Sequence, residues 1–277
     1  MANTDPAVAA KQQFTILRTA NAGEVLRGVS LTPTAGSTAA ANVPLILSAA
    51  NPGANAIAPG SLATANGQNL ASATTSPAAP PYPMTVSGSS ISIVDAAGVT
   101  TAAPIVSVSP NQIIFLVPAS AAPGTAQVIV TNGTATQTAN NVQISTVAPA
   151  VLTLNGSGLA AANVVQVAPG GAQTLQQVSM TNSSGAIVAN PIAAGVGGGS
   201  TYMVLFGTGI AGGGTALTSV TINGLPATVI YAGSAGAGSG LDQVNVLIPA
   251  KVAGAGNVNV QLASEGVAAN PVQIVTQ

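Results

Sequence analysis

The chain has 277 residues with only four basic and five acidic side chains, a net charge of −1 and no His or Cys. Charged residues make up 3% of it, against about 25% in an average soluble domain. Such a chain lacks the cations to neutralise a phosphate backbone, which argues against nucleic-acid binding. It also lacks disulfides, thiolate metal sites and the usual general base.

Hydrophobic residues account for 47% and aromatic residues for 2%, so disorder is a poor account of the composition. A core of Val, Ile, Leu and Ala suits a sandwich of short strands. No run of 18 or more uninterrupted apolar residues marks a membrane span. The first residues, MANTDPAVAAKQQ, have neither a basic n-region nor a sustained apolar h-region. No signal peptide is therefore expected in this numbering, and either prior removal or another export route is open.

Residues 1–41 read as an N-terminal strand extension. Five of the nine charged residues fall here: Asp5, Lys11, Arg18, Glu24 and Arg27. QQFTILRT places Phe14 and Ile16 on one face and Thr15 and Leu17 on the other, and EVLRGVSLTP, containing Val25 and Leu26, is a second strand candidate. Two readings stay open. The extension forms a hairpin or edge strand on its own first domain, or it donates a strand to a neighbouring subunit's sheet. In the second case Phe14, Ile16, Leu17, Arg18, Val25 and Leu26 are the candidate assembly residues. Burial of Phe14, Ile16, Leu17 and Val25 would contribute at most about 6–12 kcal/mol, at about 1.5–3 each, before ordering costs.

From residue 42 onward the sequence is written twice. Gln112–Pro118 and Gln243–Pro249 align at an offset of 131. The sequence alone then suggests 130, pairing Val128 with Val258, Val130 with Val260, and VQI at 142–144 with VQI at 272–274. Upstream, IAPGSLATANGQNLA at 57–71 has a looser counterpart in GSTYMVLFGTGIAG at 199–212. SISIVDAAGVTTAAPIVSVS at 90–109 likewise matches SVTINGLPATVIYAGS at 219–234 in pattern. A period this long denotes a duplicated domain, not a solenoid.

Within each copy the signals are strands. QIIFLV and QVNVLI are apolar runs closed by Pro118 and Pro249. AQVIVTNG ends in Asn132-Gly133, a pair suited to a type I′ hairpin. NVNVQL alternates Val258, Val260 and Leu262 with Asn257, Asn259 and Gln261, the pattern of a half-buried strand. Residues 73–83 and the Ala/Gly-rich tract 192–200 read as loops. The fold expected is all-β: two tandem Ig-like β-sandwich domains, 42–148 and 149–277, behind the N-terminal strand extension.

The motifs IAPGSLATANGQNLA, SPNQIIFLVPASAAPGTAQVIVTNG and VTINGLPATVIYAGSAGAGSGLDQVNVLIPAKVAGAGNVNVQL carry a resemblance. Over roughly 45–277 the chain resembles the C-terminal region of exported acidobacterial (Solibacter-type) proteins, which is similar to tandem immunoglobulin-like folds of the IPT/TIG type. That resemblance implies an exported, extracellular or cell-surface protein. Such regions usually form the tail of larger proteins; here the module fills nearly the whole chain, which implies that the module is itself the product.

No catalytic chemistry is legible. Asp95, Asp242 and Glu265 are widely spaced, and Asp242, aligned with Asn111, reads as a hydrogen-bonding residue where a strand begins. No acidic run suggests a calcium site, and no cofactor is expected. With two lysines, an isopeptide crosslink is not expected either. NGT at 132, NGS at 155 and NSS at 182 fit the N-glycan acceptor pattern, making glycans candidate partners. A surface of Thr, Ser, Asn, Gln and Ala has little charge to keep copies apart. The function expected is therefore an extracellular structural protein, not an enzyme, that assembles with identical subunits into a filament or surface layer. A monomeric cell-surface adhesion or carbohydrate-binding module is the alternative.

Overall fold

The computed structural model describes residues 43–277, apart from 78, 155 and 157. Among the described residues there is no α-helix; the ordered elements are strands and three short 3-10 turns. The N-terminal assembly candidates Phe14, Ile16, Leu17, Arg18, Val25 and Leu26 lie outside the described residues.

The first sandwich is built from β1 (Leu45–Ser48), β2 (Ala56–Ile57), β3 (Leu62–Asn66), β4 (Thr85–Val86), β5 (Ser89–Val94), β6 (Thr100–Ala103), β7 (Ile105–Ser109), β8 (Gln112–Leu116), β9 (Gly124–Asn132) and β10 (Ala135–Ile144). One sheet runs β1-β3-β8-β7; the other runs β2-β10-β9-β5-β4, with β6 also on β5. Alternation decides which face is inside. Ile91 and Ile93, Val128 and Val130, and Ile113 and Phe115 are all buried in one cluster, as expected when every second side chain faces a packed sheet.

The second sandwich comprises β11 (Ala150–Val151), β12 (Ala162–Val167), β13 (Gln173–Gln177), β14 (Ser179–Thr181), β15 (Ile187–Ala189), β16 (Ser200–Thr208), β17 (Thr218–Ile222), β18 (Leu225–Ser234), β19 (Asp242–Leu247), β20 (Gly256–Ser264), β21 (Val267–Ala268) and β22 (Val272–Thr276). Its main sheet runs β13-β12-β16-β19-β18-β17-β20-β21, with β11 on β16 and β22 on β20. β14 and β15 form a separate hairpin. A second cluster, including Val164, Met203, Leu205, Val244, Val246, Val258, Val260 and Ile274, fills the interior.

One difference between the copies has a covalent cause. β18 pairs with β17 through Leu225–Ala227 and with β19 from Thr228 onward, shifting register between Val229 and Tyr231. A single strand thus crosses from one layer to the other. In the first sandwich the same path is cut into β6 and β7 at Pro104, which has no N–H to give to a ladder. Its carbonyl still accepts from Leu116 N at 2.8 Å.

The ladders also correct the repeat alignment. β9 starts at Gly124 and β20 at Gly256, both at positive φ, and their last-strand partners are Ile144 and Thr276. The offset here is 132 (256 − 124), not 130, so Val128 occupies the place of Val260 and the two VQI triplets are not equivalent. The turn before β20 is longer, holding a 3-10 turn at Ala250–Val252. The Asn132-Gly133 hairpin is shifted as well. Ala135 pairs with Asn132, and only Gly133 of that pair has positive φ, so the loop is Gly133-Thr134 with the φ pattern of a II′ turn. The type I′ pattern falls instead at Ser87-Gly88, Asn223-Gly224 and Glu265-Gly266, where both residues have positive φ. The two expected loops are not wholly free of pairing: Thr75 bridges Val108, and Ile192 bridges Thr276.

Candidate functional site

Two features of the described residues have the shape of functional surfaces: the joint between the sandwiches, and sheet edges that nothing pairs.

The joint is built on backbone. The link after β10 meets the residue that follows β16, Ala148 N donating to Gly209 O at 2.9 Å. Thr208, fully buried, accepts from Leu62 N of the first sandwich at 2.8 Å and donates to Gly240 O at 2.7 Å. Thr146 donates to the Glu265 carboxylate at 2.8 Å. Three glycines permit the close approach. A Cβ on Gly209 would sit 2.2 Å from Ala148 O, one on Gly212 2.5 Å from Thr146 O, and one on Gly240 2.7 Å from Leu62 and Leu116 side-chain carbons. A small cleft of about 210 Å³ remains, lined by Pro59, Leu116, Gly209, Gly236, Leu241 and Asp242.

Asp242 opens β19, as its expected role requires, and its Oδ2 accepts from Ile210 N at 2.7 Å and Ala211 N at 3.1 Å. Burial raises its pKa above the ordinary 3.8, while these backbone bonds pull the other way. A raised native pKa means the folded state holds this proton more tightly than the unfolded chain. That contribution to stability is complete below 3.8 and is lost as pH rises through the native value. Asp242→Asn keeps an acceptor oxygen and is expected to flatten this part of the melting-temperature profile against pH; an unchanged profile would contradict the assignment. Asp242→Ala leaves two N–H groups without their acceptor, at about 1–3 kcal/mol each where buried.

Asp95 behaves in the opposite sense. Hydrogen bonds from Ala122, Val99 and Ala97 N–H groups hold its pKa below 3.8 despite burial. Its contribution is present above 3.8 and fades in acid. Both acids are structural ties, and among the described residues no three of His, Cys, Asp and Glu cluster as a metal site.

The open edges lie elsewhere. β13 ends its sheet, pairing only with β12; all but one of its residues are exposed, and Leu175 is 64% exposed. In the first sandwich, a groove of about 260 Å³ separates β1 from β10, lined by Val43, Leu45, Asn55, Asn140 and Asn141 among others. Val43 and Leu45 are 60% and 57% exposed. β10 bulges there, its register shifting between Ala139 and Val142, and Asn141 takes a positive φ of 59°. The sequence pattern gave no warning of this groove, because Asn140-Asn141 reads equally well as a polar face.

Of the glycan candidates, Asn132 Nδ2 donates to Asn69 O at 3.0 Å. Exposed Asn182 accepts at Oδ1 from Ser184 and Ala186. Asn155 lies outside the described residues.

Residues 45–146 match the IPT/TIG domain family. An IPT/TIG domain, Ig-like in fold, therefore occupies β1 to β10. None of the curated proteins matches the chain. Among solved structures, 321 chains match. One is the full extracellular region of plexin A4, 10% identical over 94% of this chain and 20% of that one, with a TM-score of 0.25. The chain spans about a fifth of that structure's length, and similarity at that level bears on neither partner nor activity. No helix among the described residues is long and apolar enough to cross a membrane.

Proposed function

We propose that this is an extracellular structural protein of the acidobacterial exported type, with an IPT/TIG sandwich at 42–148 and a second sandwich at 149–277. It polymerises by donating its N-terminal strands, around Phe14, Ile16, Leu17, Arg18, Val25 and Leu26, to the sheet of a neighbouring copy. The observation that carries this reading is the conjunction of unpaired sheet edges with a near absence of charge. Soluble sandwiches guard such edges with lysines, prolines or inward charges. Here β13 presents Leu175 on an open edge, and the whole chain has four basic residues.

Cohesion then comes from backbone hydrogen bonds and apolar burial, so it resists salt. Light scattering of the full chain from about 0.01 M to about 1 M salt, over which the screening length falls from about 30 Å to about 3 Å, is the test. Polymers of unchanged size are expected. Lone single chains throughout would overturn the proposal and favour a monomeric adhesion module, and polymers that dissolve with salt would assign their cohesion to charge.

A further inference from the structure

The internal repeat indicates where an added strand would bind. Ile57 and Ile192 occupy equivalent places: each bridges the last strand in parallel, Ile57 at Ile144 and Ile192 at Thr276. Those partners are themselves equivalent, since Ile144 pairs with Gly124 and Thr276 with Gly256. Ser145 N donates to Ile57 O at 2.9 Å, and Gln277 N to Ile192 O at 2.8 Å.

Further up the same edge the copies part. In the second sandwich, Gly158–Ala160 lies along β22: Gln273 N donates to Gly158 O at 2.7 Å, and Ala160 N to Gln273 O at 2.9 Å. That covering segment comes from an insertion between β11 and Ile192 that the first sandwich lacks. In the first sandwich β1 runs almost directly into β2. The position of Gln273 is taken by Asn140-Asn141, between Ala139 (facing Val128) and Val142 (facing Ala126). Among the described residues no segment pairs with the outer edge of β10 before Gln143. The strand bulges, and the groove described above opens between it and β1.

We infer that this groove is a strand-acceptor site, and that its occupant is the stretch Gln12–Thr19 of a second copy of the chain. This rests on the donor-strand reading and names its acceptor. The second sandwich supplies the chemistry of the fit: an extended peptide that exchanges backbone hydrogen bonds with the middle of the last strand. The groove's rim offers Val43 and Leu45 to apolar side chains, and QQFTILRT alternates Phe14 and Ile16 with Thr15 and Leu17. Forty-two residues precede Val43, which itself lines the groove. An eight-residue strand spans about 26 Å at about 3.3 Å per residue, and the 23 residues from 20 to 42 suffice to tether it to a neighbouring subunit. Head-to-tail donation of this kind propagates as a filament wherever the rotation from one subunit to the next does not close a ring.

The chain has no Cys, so every disulfide in a variant is an introduced one. Asn140→Cys, at an exposed groove residue, is combined in turn with Cys at Gln13, Phe14, Thr15, Ile16 and Leu17 in the full chain. The variants are oxidised and run on non-reducing gels, with Asn140→Cys alone as the control for unchanged melting. The expected result is a ladder of linked multimers from alternate positions only, the signature of a strand. Internally linked single chains would overturn the second copy as occupant. A ladder from Leu175→Cys in place of Asn140→Cys would move the acceptor to β13 and overturn the groove. If no position crosslinks, the groove is likewise overturned. A parallel deletion of residues 1–40 separates the two failures: dispersed polymers would leave the donor-strand reading standing, whereas persistent ones would remove it as well.

Discussion

Deleting residues 1–40 is expected to convert polymers into single chains without loss of fold. The described residues belong to one compact unit within 41–277. Among the described residues, the two hydrophobic clusters draw on positions beyond 45, and the cores they form are expected to remain after the deletion. What the deletion removes is the apolar group Phe14, Ile16, Leu17 and Val25, whose proposed burial between subunits would contribute at most about 6–12 kcal/mol. A loss of even half of that is about two decades or more in subunit affinity, since each 1.4 kcal/mol is tenfold. Circular dichroism and melting temperature are expected to stay near those of the full chain while the sedimenting species shrinks to one chain. Polymers that persist unchanged would remove the N-terminal strands from the joint between subunits.

Gly209→Ala carries the largest expected effect on stability. Gly209 has φ +72°, and a Cβ there would lie 2.2 Å from Ala148 O and 2.9 Å from Ala148 C. The obstacle is backbone, so no rotamer change relieves it. A non-glycine residue held in the left-handed region costs about 1–2 kcal/mol, and pushing the link away also weakens the bond from Ala148 N to Gly209 O, worth about 1 kcal/mol. With overpacking adding about 1–3 kcal/mol, the sum is about 3–6 kcal/mol. At about 2–4 °C per kcal/mol for a unit of this size, the melting temperature falls by about 6–24 °C. Gly60→Ala is the matched control. Its φ is +76° and no atom lies within 4 Å of the added Cβ, so only the backbone cost is expected. Equal losses at the two sites would show that the close approach at Ala148 is not what Gly209 serves.

The strands were the legible part of the sequence because burial on one face writes a period of two directly into residue type. Val258, Val260 and Leu262 are buried and Asn257 and Asn259 exposed, as their alternation requires. The runs closed by Pro118 and Pro249 are β8 and β19. Register was less legible. VQI recurs at 142–144 and 272–274, yet the β10 bulge and the longer turn before β20 place these triplets two residues out of step. A bulge is set by what the neighbouring edge leaves uncovered, and no local pattern encodes that. The insertion between β11 and Ile192 is marked in the sequence only by turn glycines such as Gly171 and Gly185, which any β-rich loop could carry. Of the candidate site, composition revealed that the surface is nearly uncharged. The groove arises from a difference between β10 and β22 along the same edge, which residue type alone does not encode.

The joint gives the pair of sandwiches a backbone-level connection. Gly209, Gly212 and Gly240 each bring one sandwich within contact distance of the other or of the link between them, and Thr208 is hydrogen-bonded in both directions. Such a connection suits a polymer, because an orientation held within the subunit is repeated along its length.

Negative-stain electron microscopy of the untagged full chain, diluted to submicromolar concentration, tests the central claim most directly. Linear polymers of repeating two-lobed subunits are predicted. Discrete particles of single-chain size, unchanged over days, would contradict it.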